Sequence, residues 1–417
     1  MLALTFRSQF FEKKKTHQRG GLLSRSDFSS AHLTSKRLVV SDLFSKERTT
    51  MPVSVVPPEV AELSAAAFGA SHLFAGDLHD PKLQLGPHGG TTAPFRSPVD
   101  GIRLASYWLP AKDAAKAKGI IVFVHGHGSY FLHEVGAIKG PGQPPRYAGS
   151  WAEKLNDAGY SVCGIDNRGM GFSGGARGGL RCFTESFHDY EADVAAFASA
   201  AVSPSTDSDF PIPVPQGFGP GLPLFLLGIS LGGCISLHVA EDLKKWNCDN
   251  LQKHFKGVVL LAPMLAIDAL ASRGINRLLV HVGKVISIVY PTLGIAHGTK
   301  NELYPDLQAI WDADPLCWHK ATRARSAMEY LRVTRALSAN ENERLKAFKA
   351  PFVVFHGEGD TLTDPRGSRD LHESSTSQDK TLRILKGRWH ILTKEPGNDE
   401  VLKEIVEWCD ARGGKVE

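Results

Sequence analysis

Residues 223–238 have the sequence PLFLLGISLGGCISLH, and this stretch predicts the fold. The apolar run at residues 224–227 is typical of a β-strand that is buried on both faces of a sheet. It is followed by the pattern G-x-S-x-G, centred on Ser230, and then by small and apolar residues that favour a helix. This order predicts a nucleophile elbow, in which Gly228 and Gly232 leave room for the crowded backbone and Ser230 is exposed at the helix N-terminus. The alternative is a glycine-rich turn that carries a serine by chance.

The composition is that of a globular protein with a basic N-terminal segment. The 417 residues are enough for one large α/β domain with additions or for two ordinary domains. Residues 1–50 contain 10 Lys and Arg against 4 Asp and Glu, whereas the rest of the chain contains 38 against 40. The net charge of +4 therefore comes from this leader, and the body is not predicted to bind nucleic acid.

The leader at residues 1–50 is basic, rich in serine and poor in acids, and it lacks the apolar core of a secretory signal. We expect an organelle transit peptide or a disordered extension. Residues 51–90 are predicted to be an N-terminal extension and linker. The chain has no run of 18 apolar residues, and its six cysteines form no C-x-x-C pair and are expected to be reduced. These features favour an intracellular protein, either cytoplasmic or at the membrane periphery, with organelle targeting as the alternative.

Residues 91–417 are predicted to form one α/β domain. Apolar runs separated by segments of helical spacing indicate a mostly parallel sheet with helices on both faces. Residues 264–350 interrupt this alternation of strands and helices, because they show helical spacing and no strand pattern. They are expected to form a helical cap over the carboxyl edge of the sheet, where ligands of open α/β sheets bind. The strands of this eight-stranded sheet are expected at 95–109 (two strands joined at a hairpin turn), 119–124, 161–165, 224–227, 257–262, 351–356 and 381–385.

Two predicted strands end in residues that complete a catalytic triad with Ser230. One strand is followed by Asp360 and the next by His390, so both side chains are expected at the edge where the elbow lies. In such a triad the histidine activates the serine, and the carboxylate orients the histidine. The chain order serine, aspartate, histidine is the one expected for an elbow of this kind.

Each of these residues alone has a plainer explanation. His390 is one of 17 histidines, and Asp360 follows a glycine, as turn residues often do. Their order and their positions directly after strands favour the triad. Glu358 and Asp364 are rival acids, although Asp364 precedes Pro365 and is more typical of a turn.

The segment His125-Gly126-His127-Gly128 is predicted to contribute to an oxyanion hole. The backbone N–H groups of His127 and Leu231 are the expected donors. A glycine-rich turn and a metal site on His125 and His127 are the alternatives, but no Asp follows at metal-ligand spacing. Residues 169–174 match G-x-G-x-x-G, a dinucleotide-binding pattern, yet the glycine-rich continuation disfavours the helix that the pattern requires. We therefore expect neither a metal nor a cofactor.

The chain resembles the monoacylglycerol lipase and lysophospholipase-like branch of the α/β-hydrolases over about residues 95–410. The resemblance implies an α/β-hydrolase fold with Ser230 as nucleophile, Asp360 as acid and His390 as base. It also implies oxyanion amides at His127 and Leu231, an apolar acyl tunnel under the cap and, often, substrate uptake at a membrane surface. The motifs that carry it are HGHG (125–128), DNRGMGFSGG (166–175), GISLGG (228–233), DADPL (312–316), HGEGDTLTDP (356–365), SQDKTLRILKGRWH (377–390) and VEWC (406–409).

Three features depart from the family pattern. Ser129 follows HGHG where the family usually has glutamate, an insertion rich in Gly and Pro lies at about residues 135–145, and residues 203–222 form a longer loop than the family predicts. Both insertions are expected to border the site. These departures leave the identity of the substrate open, but they do not affect the predicted triad.

The sequence thus predicts a serine carboxylester hydrolase that cleaves monoacylglycerol, a small-molecule lipid ester, without a cofactor. A lysophospholipase or another carboxylesterase, for example one acting on phenolic esters, would use the same residues. A non-catalytic ligand receptor on a hydrolase scaffold is the alternative of another class. The apolar cap segment at residues 278–293 is expected to pack within the cap, to line an acyl pocket or to contact a membrane.

Overall fold

The computed structural model describes residues 82–203, 214–246, 249–267, 275–340 and 343–414. The predicted leader at 1–50, and the predicted extension up to residue 81, lie outside the described residues.

The central feature is an eight-stranded sheet with the strand order β1-β2-β4-β3-β5-β6-β9-β10. The strands of the chain are β1 Thr91–Arg96, β2 Arg103–Leu109, β3 Gly119–Val124, β4 Tyr160–Ile165, β5 Leu224–Ile229, β6 Phe255–Leu261, β7 Gly294–Ala296, β8 Thr322–Arg323, β9 Phe352–Gly357 and β10 Lys380–Leu385.

The sheet is parallel except at one edge. β1 pairs with β2, and β2 with β4, in antiparallel fashion. The remaining neighbours, from β4 through β3, β5, β6 and β9 to β10, are parallel. The predicted mostly parallel, eight-stranded sheet is confirmed, and the carboxyl ends of its central strands lie at one edge.

Helices cover both faces of the sheet and form most of the cap. Short 3₁₀ turns lie at Ala114–Lys116 and Leu243–Trp246. The α-helices are α1 Lys82–Leu85, α2 Phe131–Val135, α3 Trp151–Asp157, α4 Phe187–Val202, α5 Leu231–Glu241, α6 Asp249–His254, α7 Ile275–Val289, α8 Pro305–Ala313, α9 Ala324–Ser338, α10 Arg344–Ala347, α11 Pro365–Ser374 and α12 Asn398–Asp410.

The central strands are buried on both faces, which explains their unbroken apolar runs. In β5, Leu224 and Leu226 belong to one hydrophobic cluster, with α4 and α5. Phe225 and Leu227 belong to a second cluster on the opposite face, with α3 and α12. Because successive side chains of a strand point to opposite faces, a strand covered twice must be apolar at every position.

Two features differ from the sequence-based expectation: the start of the packed unit and the secondary structure of the cap. The packed unit begins before residue 91, because Leu85 of α1 is buried in the second cluster (4% exposed). The cap is not purely helical, since β7 and β8 form a small antiparallel sheet within it. Elements of two to four residues are too short to show a period in the sequence, so pattern analysis misses them.

The apolar cap segment is partly exposed. Val285, Ile288, Val289 and Tyr290, at the end of α7 and just after it, are each more than half exposed. These four side chains are therefore not packed against the described part of the cap. Within the described residues, no helix has the length and apolar character needed to cross a bilayer.

Arg168 holds the β1–β2 hairpin against α4. Its side chain is fully buried (0% exposed). The guanidinium donates to both carboxylate oxygens of Asp193, at 2.9 and 3.1 Å, and to Asp100 at 3.0 Å. A further hydrogen bond of 2.8 Å reaches Ser97 Oγ. Removing one partner of such a buried network leaves uncompensated charges behind.

We predict that Arg168→Gln lowers the free energy of unfolding by about 3–5 kcal/mol, because Asp193 is left buried and unpaired. The matched control is Lys112→Gln, which breaks an exposed ion pair with Asp157 and should cost less than about 1 kcal/mol. Urea unfolding followed by circular dichroism measures both. Equal losses in the two variants would contradict the structural role given to Arg168.

Candidate active site

The turn between β5 and α5 has the geometry of a nucleophile elbow. Ser230 has a φ of 56° and a ψ of −119°, a strained conformation for a non-glycine residue. A Cβ atom on Gly228 would lie 2.3 Å from the Gly232 carbonyl oxygen, and one on Gly232 would lie 2.0 Å from the Val124 carbonyl oxygen. The steric reason predicted for both glycines is therefore confirmed.

His390 and Asp360 form a hydrogen-bonded pair. The His390 Nδ1 atom lies 2.7 Å from Asp360 Oδ2, and the Asp360 side chain is fully buried. Burial disfavours the protonated form of His390, but the charge and hydrogen bond of Asp360 outweigh it and raise the pKa of the imidazole. Burial likewise opposes ionisation of Asp360, yet the charge of His390 and the hydrogen bonds of His356 and His390 lower the pKa of the carboxyl. The pair thus favours a carboxylate beside a basic imidazole.

Two further side chains, which the sequence analysis did not identify, fix the Asp360 carboxylate. Thr363 Oγ1 donates to Asp360 Oδ2 at 2.8 Å, and His356 Nε2 lies 3.2 Å from the same oxygen. The backbone N–H groups of Leu362 and Thr363 donate to Oδ1 at 2.8 and 3.0 Å. Both oxygens are therefore held in place before any ligand arrives. The signal was the spacing, since His356 and Thr363 lie four residues before and three residues after Asp360.

The loop that carries His390 is fixed by Glu395. The backbone N–H of Trp389 donates to Glu395 Oε2 at 2.8 Å, and that of Ile391 donates to Oε1 at 2.7 Å. Burial raises the pKa of Glu395, although these hydrogen bonds oppose the rise. Anchoring on both sides limits the positions that the imidazole can adopt.

The end of β6 connects Ser230 to the Asp360 side of the site. The backbone N–H of Ser230 donates to the Leu261 carbonyl at 2.9 Å. One residue later, the Ala262 carbonyl oxygen lies 3.1 Å from Thr363 Oγ1. Among the described residues, Ser230 Oγ makes no side-chain hydrogen bond, so it is not hydrogen-bonded to His390 in this structure. Catalytic hydrogen bonds are often long without substrate and tighten in the complex.

The HGHG segment lies against the elbow. A Cβ atom on Gly126 would be 3.3 Å from Ser230 Cβ. His125 is fully buried, with Nδ1 2.8 Å from the Gly126 carbonyl and Nε2 accepting from the Asn167 N–H at 2.7 Å. Since both ring nitrogens are engaged and burial lowers its pKa to about 4, His125 is a neutral structural residue. This geometry argues against the metal site considered for His125 and His127.

The two amides predicted to line the oxyanion hole have no backbone partner in the described part of the chain. They belong to His127, in the turn after β3, and to Leu231, the first residue of α5. The His127 ring is held by the cap, with Tyr330 Oη 3.1 Å from Nδ1 and Thr322 Oγ1 3.2 Å from Nε2. Burial lowers the pKa of this ring to about 4.

Glu134, which is buried, and Lys394, which is half-buried, lie beside the site and were missed from the sequence. Glu134 Oε1 would lie 3.8 Å from a Cβ atom on Gly126, and its Oε2 accepts from Thr393 at 3.5 Å. Lys394 Nζ donates to the carbonyls of Glu134 and Gly136 at 3.3 and 2.9 Å, and burial lowers its pKa to about 8. A carboxylate thus lies near the elbow although Ser129 occupies the usual glutamate position. The start of the insertion at residues 135–145 contacts Lys394 and so borders the site.

The rival acids do not contact His390. Glu358 is exposed. Asp364 caps α11, where Oδ1 accepts from the Arg366 N–H at 2.9 Å and Oδ2 from the Arg366 side chain at 2.8 Å. Asp364 is therefore the N-cap of a helix rather than the turn residue that the sequence predicted.

The G-x-G-x-x-G segment at residues 169–174 does not open a helix. It leads into a four-residue turn, Ala176–Gly179, in which Arg177 has a φ of 52°. The preceding Asp166 accepts hydrogen bonds of 2.8 Å from the backbone N–H groups of Phe131 and Phe172, and burial raises its pKa to about 6. The segment therefore packs against α2 and lacks the helix of a dinucleotide-binding motif.

Comparison with known proteins places the chain among hydrolases. The family model Hydrolase_4, described as serine aminopeptidase S33, matches residues 115–397. A monoacylglycerol lipase of Mycolicibacterium smegmatis is 27% identical over 74% of this chain and 94% of its own length. A monoglyceride lipase of Homo sapiens is 31% identical over 46% of this chain, a match that spans 60% of that relative. The solved structure of a soluble monoglyceride lipase variant from Saccharomyces cerevisiae, 20% identical, has a TM-score of 0.58 over 78% of this chain and 95% of its own, which supports the fold.

We predict that Asp360→Asn lowers the pKa of His390, because the carboxylate that raises it is removed while burial, which lowers it, remains. NMR titration of the His390 Cε1–H resonance, assigned with His390→Gln, measures the change. The control is Asp364→Asn, which leaves the His390 pair intact. An unchanged His390 pKa in Asp360→Asn would show that another group controls the imidazole.

Proposed function

Because the chain belongs to the Hydrolase_4 family of α/β-hydrolases and is similar to lipases of monoacylglycerol or monoglyceride, we propose that it is a serine carboxylester hydrolase that cleaves monoacylglycerol. The products are a fatty acid and glycerol, and Ser230 carries the acyl group between the two half-reactions. The observation that carries the proposal is the 2.7 Å contact between His390 Nδ1 and Asp360 Oδ2 at the sheet edge that also presents the elbow.

In the first half-reaction, Ser230 Oγ attacks the ester carbonyl while His390 Nε2 accepts its proton. Asp360 accepts the Nδ1–H of His390, which leaves Nε2 as the basic nitrogen and stabilises the imidazolium that forms. His390 must be neutral to act as a base, and its pKa is raised. Activity is therefore expected to fall with decreasing pH from a point above the usual histidine range of about 6.5.

The tetrahedral intermediate places a negative charge on the former carbonyl oxygen. The N–H groups of His127 and Leu231, at the turn after β3 and the N-terminus of α5, are proposed to donate to this oxygen. One such donor contributes about 2.7–4 kcal/mol to transition-state stabilisation. His390 then protonates the leaving alcohol and activates a water that hydrolyses the acyl-enzyme.

The substrate class rests on the two curated relatives and on the surroundings of the elbow. Both relatives are named as lipases of monoacylglycerol or monoglyceride. The polar buried side chains of Glu134 and Thr393 near the elbow suit a hydroxyl-bearing leaving group such as glycerol. The exposed apolar residues at the end of α7, among them Ile288 (75% exposed), are proposed to contact a membrane surface from which the lipid enters.

A fluorophosphonate probe separates an enzyme from a ligand receptor on the same scaffold. We predict that the probe labels the purified protein and that Ser230→Ala removes the labelling, because Ser230 Oγ is the nucleophile. Ser236→Ala is the control, since this serine on α5 is fully buried (0% exposed) and so is inaccessible to the probe. Labelling that persists in Ser230→Ala, with the fold intact by circular dichroism, would overturn the assignment.

The triad residues are tested by turnover on a panel of monoacylglycerols, lysophospholipids and short or phenolic esters. Asp360→Asn and His390→Ala should each lower kcat by at least about a thousandfold, given the roughly 10⁴ loss when a triad acid is neutralised. Glu358→Gln, a change at an exposed rival acid, should leave kcat within about twofold of the wild-type value. Faster turnover of lysophospholipids than of monoacylglycerols would show that lysophospholipids are the preferred substrate. The assignment of the triad would be unchanged.

A further inference from the structure

A second cluster of polar side chains lies under the cap, outside the triad. It consists of His133 on α2 and of Asp314 and Cys317 in the loop after α8. One potential ligand atom from each residue lies within 4.8 Å of the others. We propose that these three residues form a binding site for a transition-metal cation of the Zn²⁺ type, which would join the cap to the segment that carries HGHG.

His133 supplies the independent evidence for a ligand. Its side chain is buried (3% exposed), and Nδ1 lies 3.3 Å from Ser129 Oγ. Its Nε2 atom is buried without a hydrogen-bond partner among the described residues. An unsatisfied polar atom in the interior costs about 1–3 kcal/mol, so its presence requires an explanation. Nδ1 can donate to Ser129, which leaves the Nε2 lone pair available for a cation, the usual arrangement at metal-bound histidines.

Asp314 is oriented by neighbouring groups. Tyr130 Oη donates to Asp314 Oδ2 at 2.8 Å, and the Leu316 N–H donates to Oδ1 at 2.9 Å. A carboxylate oxygen has more than one lone pair, so these hydrogen bonds leave room for a metal bond. Hydrogen bonds of this kind hold metal-ligating carboxylates in place.

Cys317 gives the site its preference for a metal of borderline softness. The thiol is buried (4% exposed), and burial, followed by the charges of Asp314 and Glu134, raises its pKa. A metal would displace the thiol proton to solvent and bond to the thiolate, so that each cation bound releases one proton. A set of imidazole, carboxylate and thiolate favours Zn²⁺ or Co²⁺ over Mg²⁺ and Ca²⁺, which prefer oxygen ligands.

The charges of the cluster balance a divalent cation. The thiolate of Cys317 and the carboxylate of Asp314 together supply two negative charges. The Lys394 ammonium opposes cation binding, and the carboxylate of Glu134 acts at Cys317 in the opposite sense. Zn–ligand bonds of about 2.0–2.3 Å place ligand atoms closer together than 4.8 Å. Small side-chain rotations are therefore needed on binding.

The cluster lies where the cap loop packs against the segment that carries HGHG. Directly after Cys317, the Trp318 N–H donates to the Gly128 carbonyl at 2.8 Å, and Trp311 packs edge-on against His133. A cation held by both segments would therefore fix the cap loop against the HGHG turn. Binding is expected to raise the melting temperature whether or not the proposed ester hydrolysis is correct.

The test is titration of the purified full chain, reduced and freed of metal by a chelator, with Co²⁺ alone. We expect one Co²⁺ per chain with a thiolate-to-metal charge-transfer absorption, displacement by Zn²⁺, and a Zn²⁺-dependent rise in melting temperature. Cys317→Ala should abolish the absorption, and His133→Gln or Asp314→Asn should weaken Co²⁺ binding at least about tenfold.

Cys409→Ala is the matched control, because Cys409 is also buried and free but belongs to α12. Circular dichroism of each metal-free variant shows whether it folds, and the three separate ligand variants guard against a single misfolded one. The proposal is overturned if the wild-type chain shows no charge-transfer absorption, or if the absorption survives in Cys317→Ala.

Discussion

The hydrogen bond between Asp360 and His390 is the interaction on which the proposed chemistry depends. It joins two loops that follow different strands, and it raises the pKa of an imidazole whose burial alone would lower it. The surrounding groups make the pair rigid, since Thr363 and His356 hold the carboxylate and Glu395 holds the histidine loop. Such preorganisation spares the reaction the cost of orienting these groups in the transition state.

The parallel sheet is the constraint that brings this pair to the elbow. β5, β6, β9 and β10 lie side by side with their carboxyl ends at one edge, so the loops that follow them become neighbours. The strained conformation of Ser230 is maintained because the glycines around it allow Val124 and the start of α5 to approach closely. The turn after β3 then lies within contact of the serine, which gives the cap a surface to pack on.

Much of the fold was predictable, because central strands covered on both faces must be apolar at every position. The carboxyl ends of the parallel strands were placed within two residues. Ser230, Asp360 and His390 could be singled out because each lies within five residues of the carboxyl end of a strand. Short elements carry no period, so the small sheet inside the cap was missed. Partners chosen by tertiary packing were missed as well, since no local pattern marks them; these are Glu134, Lys394 and Glu395.

The most direct test of the central claim is a crystal structure of the protein after reaction with an alkyl phosphonate that mimics the tetrahedral intermediate. The account predicts phosphorus bonded to Ser230 Oγ, with one phosphonyl oxygen about 2.7–3.1 Å from the N–H groups of His127 and Leu231, and His390 Nε2 within hydrogen-bond distance of the adduct. Phosphorus on another residue, or a phosphonyl oxygen turned away from both amides, would contradict it.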